Sequence, residues 1–176
     1  MINELLDRFL ESSEDQITHG FTWYKKANKL CLKLSKKHNL PLFKVVGVLS
    51  ALSPRNKWER NIIDCESVII HGLAAKVCTF NPNKEKAVKI LAAGDKHEVF
   101  SLLNGRKVQS FYNNILTPNK STTVTVDVWA MRSVGLNRAP NKGLYDAVEQ
   151  AYKELGELLG MKSHEAQAVI WGVVRG

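Results

Sequence analysis

Apolar residues recur along most of the chain at intervals of three and four, the spacing of a helix that buries one face. The first clear run comprises Trp23, Ala27, Leu30, Cys31 and Leu34. A second run follows Pro41, a residue suited to the first turn of a helix, and comprises Leu42, Val45, Val46, Leu49 and Leu52. The turn signal SPRN at residues 53–56 ends this second predicted helix.

The same spacing, together with cap and stop signals, predicts further helices in the rest of the chain. They run from about Trp58 to His71 before Gly72, from a cap at Asn81 or Asn83 to about Ala93, up to Leu103, over 108–116, from Asp127 to about Val134, and near 143–159 and 163–174. The segment STTVTV at 121–126 alternates and is β-branched, which favours a strand. Because no second strand-like run exists to pair with it, we expect an extended connector in an all-α protein of about ten helices.

Composition narrows the class of protein. With 44% apolar residues, the 176-residue chain can fill the core of one domain or of two small lobes. No apolar run approaches the roughly 20 residues that span a bilayer, and the polar N-terminal segment is not a signal peptide. Cys31, Cys65 and Cys78 lack CxxC spacing, so we expect small buried thiols in a reducing, cytoplasmic or nucleoid-associated protein. The histidines show no metal-ligand spacing, and no metal is expected.

The charge of the chain points to a polyanionic partner. Its formal net charge is +8 and its pI is near 9.4. Between Lys25 and Trp58 there is no acidic residue but a run of lysines and arginines, a pattern typical of nucleic-acid binding. A solvated helix face explains residues 25–37 equally well. A membrane surface fits less well, because the apolar side of this segment is needed for a core.

One aspartate stands alone in a basic part of the chain. Asp127 is the only carboxylate between Glu98 and Asp146. Upstream, Gly105 can take a positive φ where two helices meet in a tight turn. The N-terminus of the second helix, with Arg106 and Lys107, would then form an anion site for a DNA phosphate. Taken alone, an Asn-Gly turn is more often just a turn, and an isolated aspartate is more often an ordinary helix cap.

The order of the motifs resembles that of the helix-hairpin-helix superfamily of base-excision DNA glycosylases, over roughly residues 41–175. The matching segments are PLFKVVGVLSALSP, TFNPNKEKAVKIL, LLNGRKVQSF, VTVDVWAMR and AQAVIWGVVRG. The separation of Gly105 and Asp127 along the chain fits the family without a gap. The resemblance implies a single domain over residues 1–176, with the hairpin near 96–116 and a cleft between two helical lobes.

The resemblance also implies a function. A monomer of this family binds double-stranded DNA, turns a damaged or modified base out of the duplex and hydrolyses its N-glycosidic bond during base excision repair. Asp127 matches the essential aspartate, whose carboxylate stabilises an oxocarbenium-like sugar and orients or deprotonates the attacking water. Two alternatives stay open: a non-catalytic helix-hairpin-helix DNA-binding protein, and an enzyme acting on modified bases by another reaction.

Several positions depart from the family pattern. Lys107 replaces the second glycine of the hairpin, and Trp129 replaces the histidine that follows the aspartate. Gln109 falls on the position of the Schiff-base lysine of bifunctional members, so we expect a monofunctional enzyme. A register shifted by two residues would instead place Lys107 there and make the enzyme bifunctional. The four-cysteine cluster of some members is absent, and no iron–sulfur cluster or other cofactor is expected.

The alignment also suggests DNA contacts. Leu52 falls on a residue that some relatives insert into the duplex, and an apolar wedge is physically suitable. The alternative, that Leu52 is the last core residue of its helix, is at least as good. Arg55 and Asn56 follow in a loop, where they can contact the opposite strand. Trp129 and Trp58 are candidates for the base pocket, although aromatic residues at helical spacing usually belong to the core.

Overall fold

The computed structural model describes the whole chain, Met1–Gly176, and contains ten α-helices, one 3₁₀ turn and no β-strand. The helices are α1 (Ile2–Leu10), α2 (Glu14–His38), α3 (Leu42–Ala51), α4 (Trp58–His71), α5 (Asn81–Leu91), α6 (Lys96–Leu103), α7 (Arg106–Leu116), α8 (Val128–Ser133), α9 (Lys142–Leu159) and α10 (Ser163–Arg175). The 3₁₀ turn spans Gly72–Ala74. The predicted all-α fold of about ten helices is therefore confirmed.

Short local signals set several helix ends. The side chain of Asp95 accepts a hydrogen bond from Glu98 N at 2.9 Å and caps α6. Asn141 caps α9 in the same way, through Leu144 N at 2.9 Å. At the other ends, Gly72 closes α4 with φ 57° and Gly160 closes α9 with φ 65°, where a side chain would be strained.

Several helix boundaries differ from the sequence prediction. The predicted caps Asn81 and Asn83 are wrong, because α5 begins at Asn81 and its N-cap is Phe80, which makes no side-chain cap bond. Pro82 lies in the first turn of α5, where its missing N–H costs nothing and its fixed φ suits the helix. The prediction also lacked α1, and it placed the start of α2 near Trp23 instead of at Glu14.

The chain forms two compact units. The first, here called the terminal unit, comprises Met1–Lys26 and Thr117–Gly176. The second, the middle unit, comprises Ala27–Leu116. The boundary between residues 26 and 27 lies inside α2, so this helix contributes to both units. None of the ten helices combines the length and the apolar composition needed to cross a membrane.

In the terminal unit, α9 and α10 pack together, α1 packs against both, and α8 packs against α10. The core they bury comprises Leu5, Val124, Val126, Ala130, Met131, Val134, Tyr145, Val148, Ala151, Tyr152, Leu155, Ala166 and Ile170. Gly20 of α2 lets the backbones of α2 and α10 approach closely: a Cβ built there would lie 2.4 Å from Val169 N. The glycine is thus required by packing and not by its backbone conformation.

The segment 121–126 is extended but belongs to no sheet, as predicted. Side chains take the place of a partner strand. Glu149 Oε2 accepts from Val124 N at 3.2 Å, and Gln167 Oε1 accepts from Thr125 N at 3.2 Å. Tyr145 Oη accepts from Val126 N at 3.2 Å and donates to Val124 O at 2.7 Å. The buried backbone groups of this segment are satisfied in this way, which fixes the approach to Asp127.

In the middle unit, α3 is the central helix and packs against α4, α5, α6 and α7. Its residues from Val45 to Ala51 are all buried. Gly47 permits this packing, because a Cβ there would lie 2.5 Å from Val99 Cγ1 and 2.8 Å from Ile90 Cγ2. The loop after α3 and the hairpin between α6 and α7 are therefore both attached to one buried helix.

Candidate functional site

The hairpin between α6 and α7 has a geometry that differs from the predicted one. Asn104, and not Gly105, takes the left-handed conformation, with φ 44° and ψ 52°. A Cβ built on Gly105 would meet no atom closer than Leu103 O at 3.9 Å. The expected positive φ at Gly105 is therefore wrong. Asparagine tolerates the left-handed region, since its short polar side chain can bond locally.

The start of α7 carries the predicted basic residues. Arg106 and Lys107 are exposed in its first turn. Gln109 has a structural contact, because its Nε2 donates to Phe100 O at 3.0 Å and so ties α7 to α6. From α5, Lys86 Nζ donates to Leu103 O at 3.3 Å, near the end of α6. The hairpin is held from two sides while its cationic residues face solvent.

Leu52, the predicted wedge, is fully buried at the C-cap of α3. Its side chain belongs to the core of the middle unit, because α3 is surrounded by other helices on most sides. The predicted insertion of Leu52 into DNA is therefore wrong. The alternative offered by the sequence, a last core residue of the helix, is confirmed.

Beyond Leu52, a buried carboxylate holds the loop in place. Asp64 of α4 is 0% exposed. It accepts from Arg60 Nε at 2.8 Å, from Asn56 Nδ2 at 2.9 Å and from Cys78 N at 2.8 Å. The amide of Asn56 also donates to Leu52 O at 3.2 Å. Asn56 is thus engaged within the fold. An acid on the inward face of α4 is the only sign of this network in the sequence.

Asp64 connects the loop after α3, through Asn56, with the loop before α5, through Cys78. Arg55 lies in the first of these loops, and Phe80 ends the second. Arg55 is exposed and has φ 53°, a strained conformation for a residue with a side chain. Its guanidinium lies 5.9 Å from the centre of the Phe80 ring, which is 56% exposed. Thr79 Oγ1 donates to Pro54 O at 3.1 Å and joins the same segments. The sequence analysis did not single out Phe80. Its one sign in the sequence is that this aromatic residue directly precedes an Asn-Pro pair.

Asp127 is the N-cap of α8 in the terminal unit. Its Oδ1 accepts from Trp129 N at 3.0 Å and from Ala130 N at 2.9 Å, the geometry of an N-cap. The carboxylate is half-buried. Burial raises the pKa of Tyr152 well above its ordinary value, and the nearby charge of Asp127 raises it further, whereas a hydrogen bond with Ser133 lowers it. Tyr152 therefore stays protonated near the carboxylate.

Two arginines lie over the ring of Trp129. The guanidinium of Arg132 is 4.6 Å from the centre of its ring, and that of Arg175 is 5.8 Å away. Arg175 also lies 4.6 Å from the ring of Trp171. Both arginines are exposed and both indoles are half-buried. The arginines cover part of the Trp129 ring, which leaves less of it available to stack on a base.

The predicted site residues fall into separate groups. The middle unit contains three of these groups. Arg55 and Asn56 share the loop after α3, and Gly105 to Gln109 belong to the hairpin between α6 and α7. Trp58 is the first residue of α4 and is half-buried. Asp127 and Trp129 belong to the terminal unit. Nowhere do three His, Cys, Asp or Glu side chains come together as a metal site requires.

The cysteines are all free thiols. Cys31 and Cys65 are buried, as expected, but Cys78 is exposed. The prediction of burial is wrong for Cys78 because this residue lies in the loop before α5, where its backbone N–H is bound by Asp64. Burial raises the pKa of the Cys31 thiol to about 12, so this thiol is not a nucleophile.

The chain belongs to a family of unknown function, DUF7178, whose model matches residues 1–176. No curated protein matches the chain, and no solved structure does.

Proposed function

We propose that this member of the DUF7178 family is a DNA glycosylase that turns a damaged or modified base out of a duplex and hydrolyses its N-glycosidic bond. The observation that carries the proposal is the placement of Asp127. The extended segment 121–126 is anchored by side chains, and the carboxylate that follows it is oriented by two backbone N–H groups of α8. A carboxylate positioned in this way needs no rearrangement when positive charge develops beside it.

The chemistry assigns one role to Asp127. When the bond between the base and C1′ breaks, its electron pair leaves with the base and the sugar gains oxocarbenium character. The Asp127 carboxylate stabilises that charge and orients the water that adds to C1′; it accepts the proton that this water loses, which then passes to the departing base. Gln109 has no amine for a Schiff base, and its amide is bound to Phe100 O. We therefore expect abasic strands that stay intact until alkali is added.

DNA binding is supported by the middle unit. Arg106 and Lys107 stand in the first turn of α7, an 11-residue helix, after a tight turn through Asn104. A helix start with adjacent cations is suited to a phosphate of the DNA backbone. The hydrogen bonds of Gln109 and Lys86 hold this turn in shape.

Because Leu52 is buried in the core, we assign the role of entering the duplex beside the target base to Arg55 and Phe80. An exposed aromatic ring can enter a base step and replace the stacking lost when a base turns out. The loop that carries Arg55 is restrained by Asn56 and Asp64, and Thr79 restrains the segment before Phe80. A strained backbone at an exposed arginine is typical of a functional position.

The proposal is tested with duplex oligonucleotides that each contain a single modified base. After incubation with the protein, alkali cleaves the abasic strands and gel electrophoresis counts them. Asp127→Asn keeps the cap acceptor but removes the charge, so base release should fall by about 10²–10⁴ while DNA affinity holds.

The matched control is Asp146→Asn, which removes one exposed carboxylate from α9 of the same unit and should leave the rate unchanged. Full activity of the Asp127→Asn variant would remove Asp127 from the mechanism. Absence of base release across the whole panel, with the protein folded and bound to DNA, would contradict the glycosylase proposal.

That last outcome would favour the second candidate, a non-catalytic DNA-binding protein. One observation supports it: the candidate catalytic groups have structural contacts. Asp127 Oδ1 caps α8, and the Gln109 amide joins α6 to α7. Such a binder would show salt-dependent affinity for duplexes without any abasic product.

A further inference from the structure

The terminal unit contains an open groove of about 710 Å³ that none of the predicted site residues lines. Four lysines from four different segments line it: Lys25 of α2, Lys120 of the segment before the extended connector, Lys153 of α9, and Lys162 of the turn before α10. Residues far apart in the sequence thus bring like charges to one concave surface. Such an arrangement is unfavourable unless something compensates it, such as buried counter-charges or a ligand.

Two of the lysines are compensated by buried carboxylates. Lys25 Nζ lies 3.7 Å from Glu165 Oε1, and Lys153 Nζ lies 2.9 Å from Glu149 Oε1. The side chains of Glu165 and Glu149 are 6% and 10% exposed. Each acid also accepts a backbone N–H, from Lys162 and Val124 respectively. These acids are therefore held in place and position Lys25 and Lys153 at the groove.

The other two lysines, Lys120 and Lys162, form no ion pair. The one further acid in the lining is Glu157, which is exposed. Even when Glu149 is counted with Glu157 and Glu165, the cations of the groove outnumber the anions. The start of α10 does not itself supply the anion site, because Glu165 already accepts the N–H of Lys162 at 2.9 Å. The positive charge that no carboxylate balances therefore lies on the ammonium groups of Lys120 and Lys162.

The rest of the lining suits a phosphate ester. Ser121 and Thr122 contribute hydroxyl groups. Phe21, 41% exposed, offers an aromatic face at the edge of the groove, with Lys25 Nζ 4.6 Å from the ring centre. Cations, hydroxyls and an exposed ring are the groups with which proteins follow a nucleic-acid strand. The groove is open to solvent and not enclosed, which suits a polymer that continues beyond the site.

We propose that this groove binds the phosphodiester backbone of a nucleic-acid strand, with Lys120 and Lys162 as the principal phosphate contacts. It is a second binding surface, and it depends neither on catalysis by Asp127 nor on the hairpin of the middle unit. Lys25 and Lys153 add charge from fixed positions. The part of the Phe21 ring that Lys25 does not cover provides a stacking surface for one base of the strand.

The test is fluorescence anisotropy with a labelled single-stranded oligonucleotide over a range of salt concentrations. The variant Lys120→Gln with Lys162→Gln should raise Kd about tenfold, and each lost phosphate contact should reduce the salt slope by about 0.7. Lys120→Arg with Lys162→Arg should retain binding. The matched control is Arg138→Gln with Lys142→Gln, which removes two exposed cations of the same unit outside the groove.

Each variant pair is also measured in an Arg106→Gln, Lys107→Gln background, so that the hairpin does not mask the groove. An unchanged Kd and slope in the groove variant, or an equal loss in the control pair, would overturn the proposal. The proposal would also be overturned if a nucleoside triphosphate, compared at equal phosphate concentration, displaced the labelled strand as well as or better than an unlabelled strand does. The groove would then be a site for a small phosphorylated ligand. Groove-dependent binding that persists while no base is ever released would leave this inference standing and remove only the glycosylase.

Discussion

His164 is a buried titratable residue of α10. It is 0% exposed, and neither ring nitrogen forms a hydrogen bond. The ring of Tyr24 meets it edge-on, with 5.2 Å between the ring centres. Burial lowers the pKa of His164 to about 4; the backbone of Pro118 opposes this shift, and the charges of Lys162 and Lys25 add to it. The folded protein therefore holds this histidine neutral at a cost that grows as the solution becomes acidic.

The consequence is a pH-dependent free energy of unfolding. In the unfolded chain the histidine titrates near its ordinary pKa of about 6.5, so between that pH and 4 the unfolded state binds more protons. The contribution of neutral His164 to the free energy of unfolding is complete above the pKa that the histidine has in the unfolded chain. It is lost as the pH falls towards the pKa that the histidine has in the folded protein. Between about pH 7 and pH 4.5, the loss from this residue should be about 2.5 kcal/mol.

Urea denaturation at both pH values measures this loss. His164→Phe keeps a ring against Tyr24 but removes the titration, so the variant should lose less stability on acidification than the unmodified protein. His19→Gln, an exposed histidine of the same unit, is the control and should behave like the unmodified protein. An identical pH dependence in the Phe variant would show that His164 is not the titrating group.

At the residue scale, the sequence predicted where a helix starts better than it predicted backbone conformation and burial. It predicted that Asp127 starts a helix, and the carboxylate caps α8. It assigned the positive φ to Gly105, but Asn104 takes it, because either residue of an Asn-Gly pair tolerates that region. The burial of Leu52 and the engagement of Asn56 depend on helices distant in sequence, which no local pattern reveals.

At the scale of elements, periodicity was sufficient where a helix has one continuous apolar face. The ends of α4 and α6 followed from Gly72 and from the turn after Leu103. The helix α1 was missed because its many acidic and polar residues suggested an exposed segment, although Leu5 is buried in the core. The β-branched segment 121–126 is extended without a sheet, because side chains of α9 and α10 bind its backbone.

The contact between α2 and α10 leads to a prediction at this scale. A Cβ on Gly20 would lie 2.4 Å from Val169 N and 2.5 Å from Val169 Cα, both of them backbone atoms that cannot rotate away. Gly20→Ala should therefore force the two helices apart and reduce the free energy of unfolding by about 2 kcal/mol. Chemical denaturation measures the change.

The control for this prediction is another glycine within a helix. Gly172 lies in α10, and a Cβ there would meet nothing within 4 Å. Gly172→Ala should stabilise the protein by about 0.5 kcal/mol, since alanine favours the helical backbone. If Gly20→Ala stabilised the protein as Gly172→Ala does, the close approach of the two helices would be disproved.

At the scale of the whole molecule, the sequence did not reveal how the chain divides. The terminal unit is assembled from both ends of the chain, and the boundary between the units falls inside the continuous helix α2. Local periodicity carries no information about such a division, because it depends on which helix faces pair across long sequence separations. The net charge of +8, in contrast, is fully contained in the sequence.

That charge makes a prediction for the intact protein. Each phosphate neutralised on duplex DNA releases counterions, so the logarithm of the binding constant should fall with the logarithm of salt concentration by about 0.9 per contact. Measured between about 50 and 200 mM salt, the unmodified protein should show a steep slope. Arg106→Gln with Lys107→Gln should reduce the slope by about 1.8, because two cations at the start of α7 are lost.

The matched control is Lys96→Gln with Lys89→Gln, which removes the same charge from exposed positions of α6 and α5 in the middle unit. If only net charge matters, both double variants will flatten the slope equally. If the hairpin forms specific phosphate contacts, only the hairpin variant will. A slope near zero in the unmodified protein would mean that no phosphates of the duplex are neutralised, and the hairpin could then not be a duplex-binding surface.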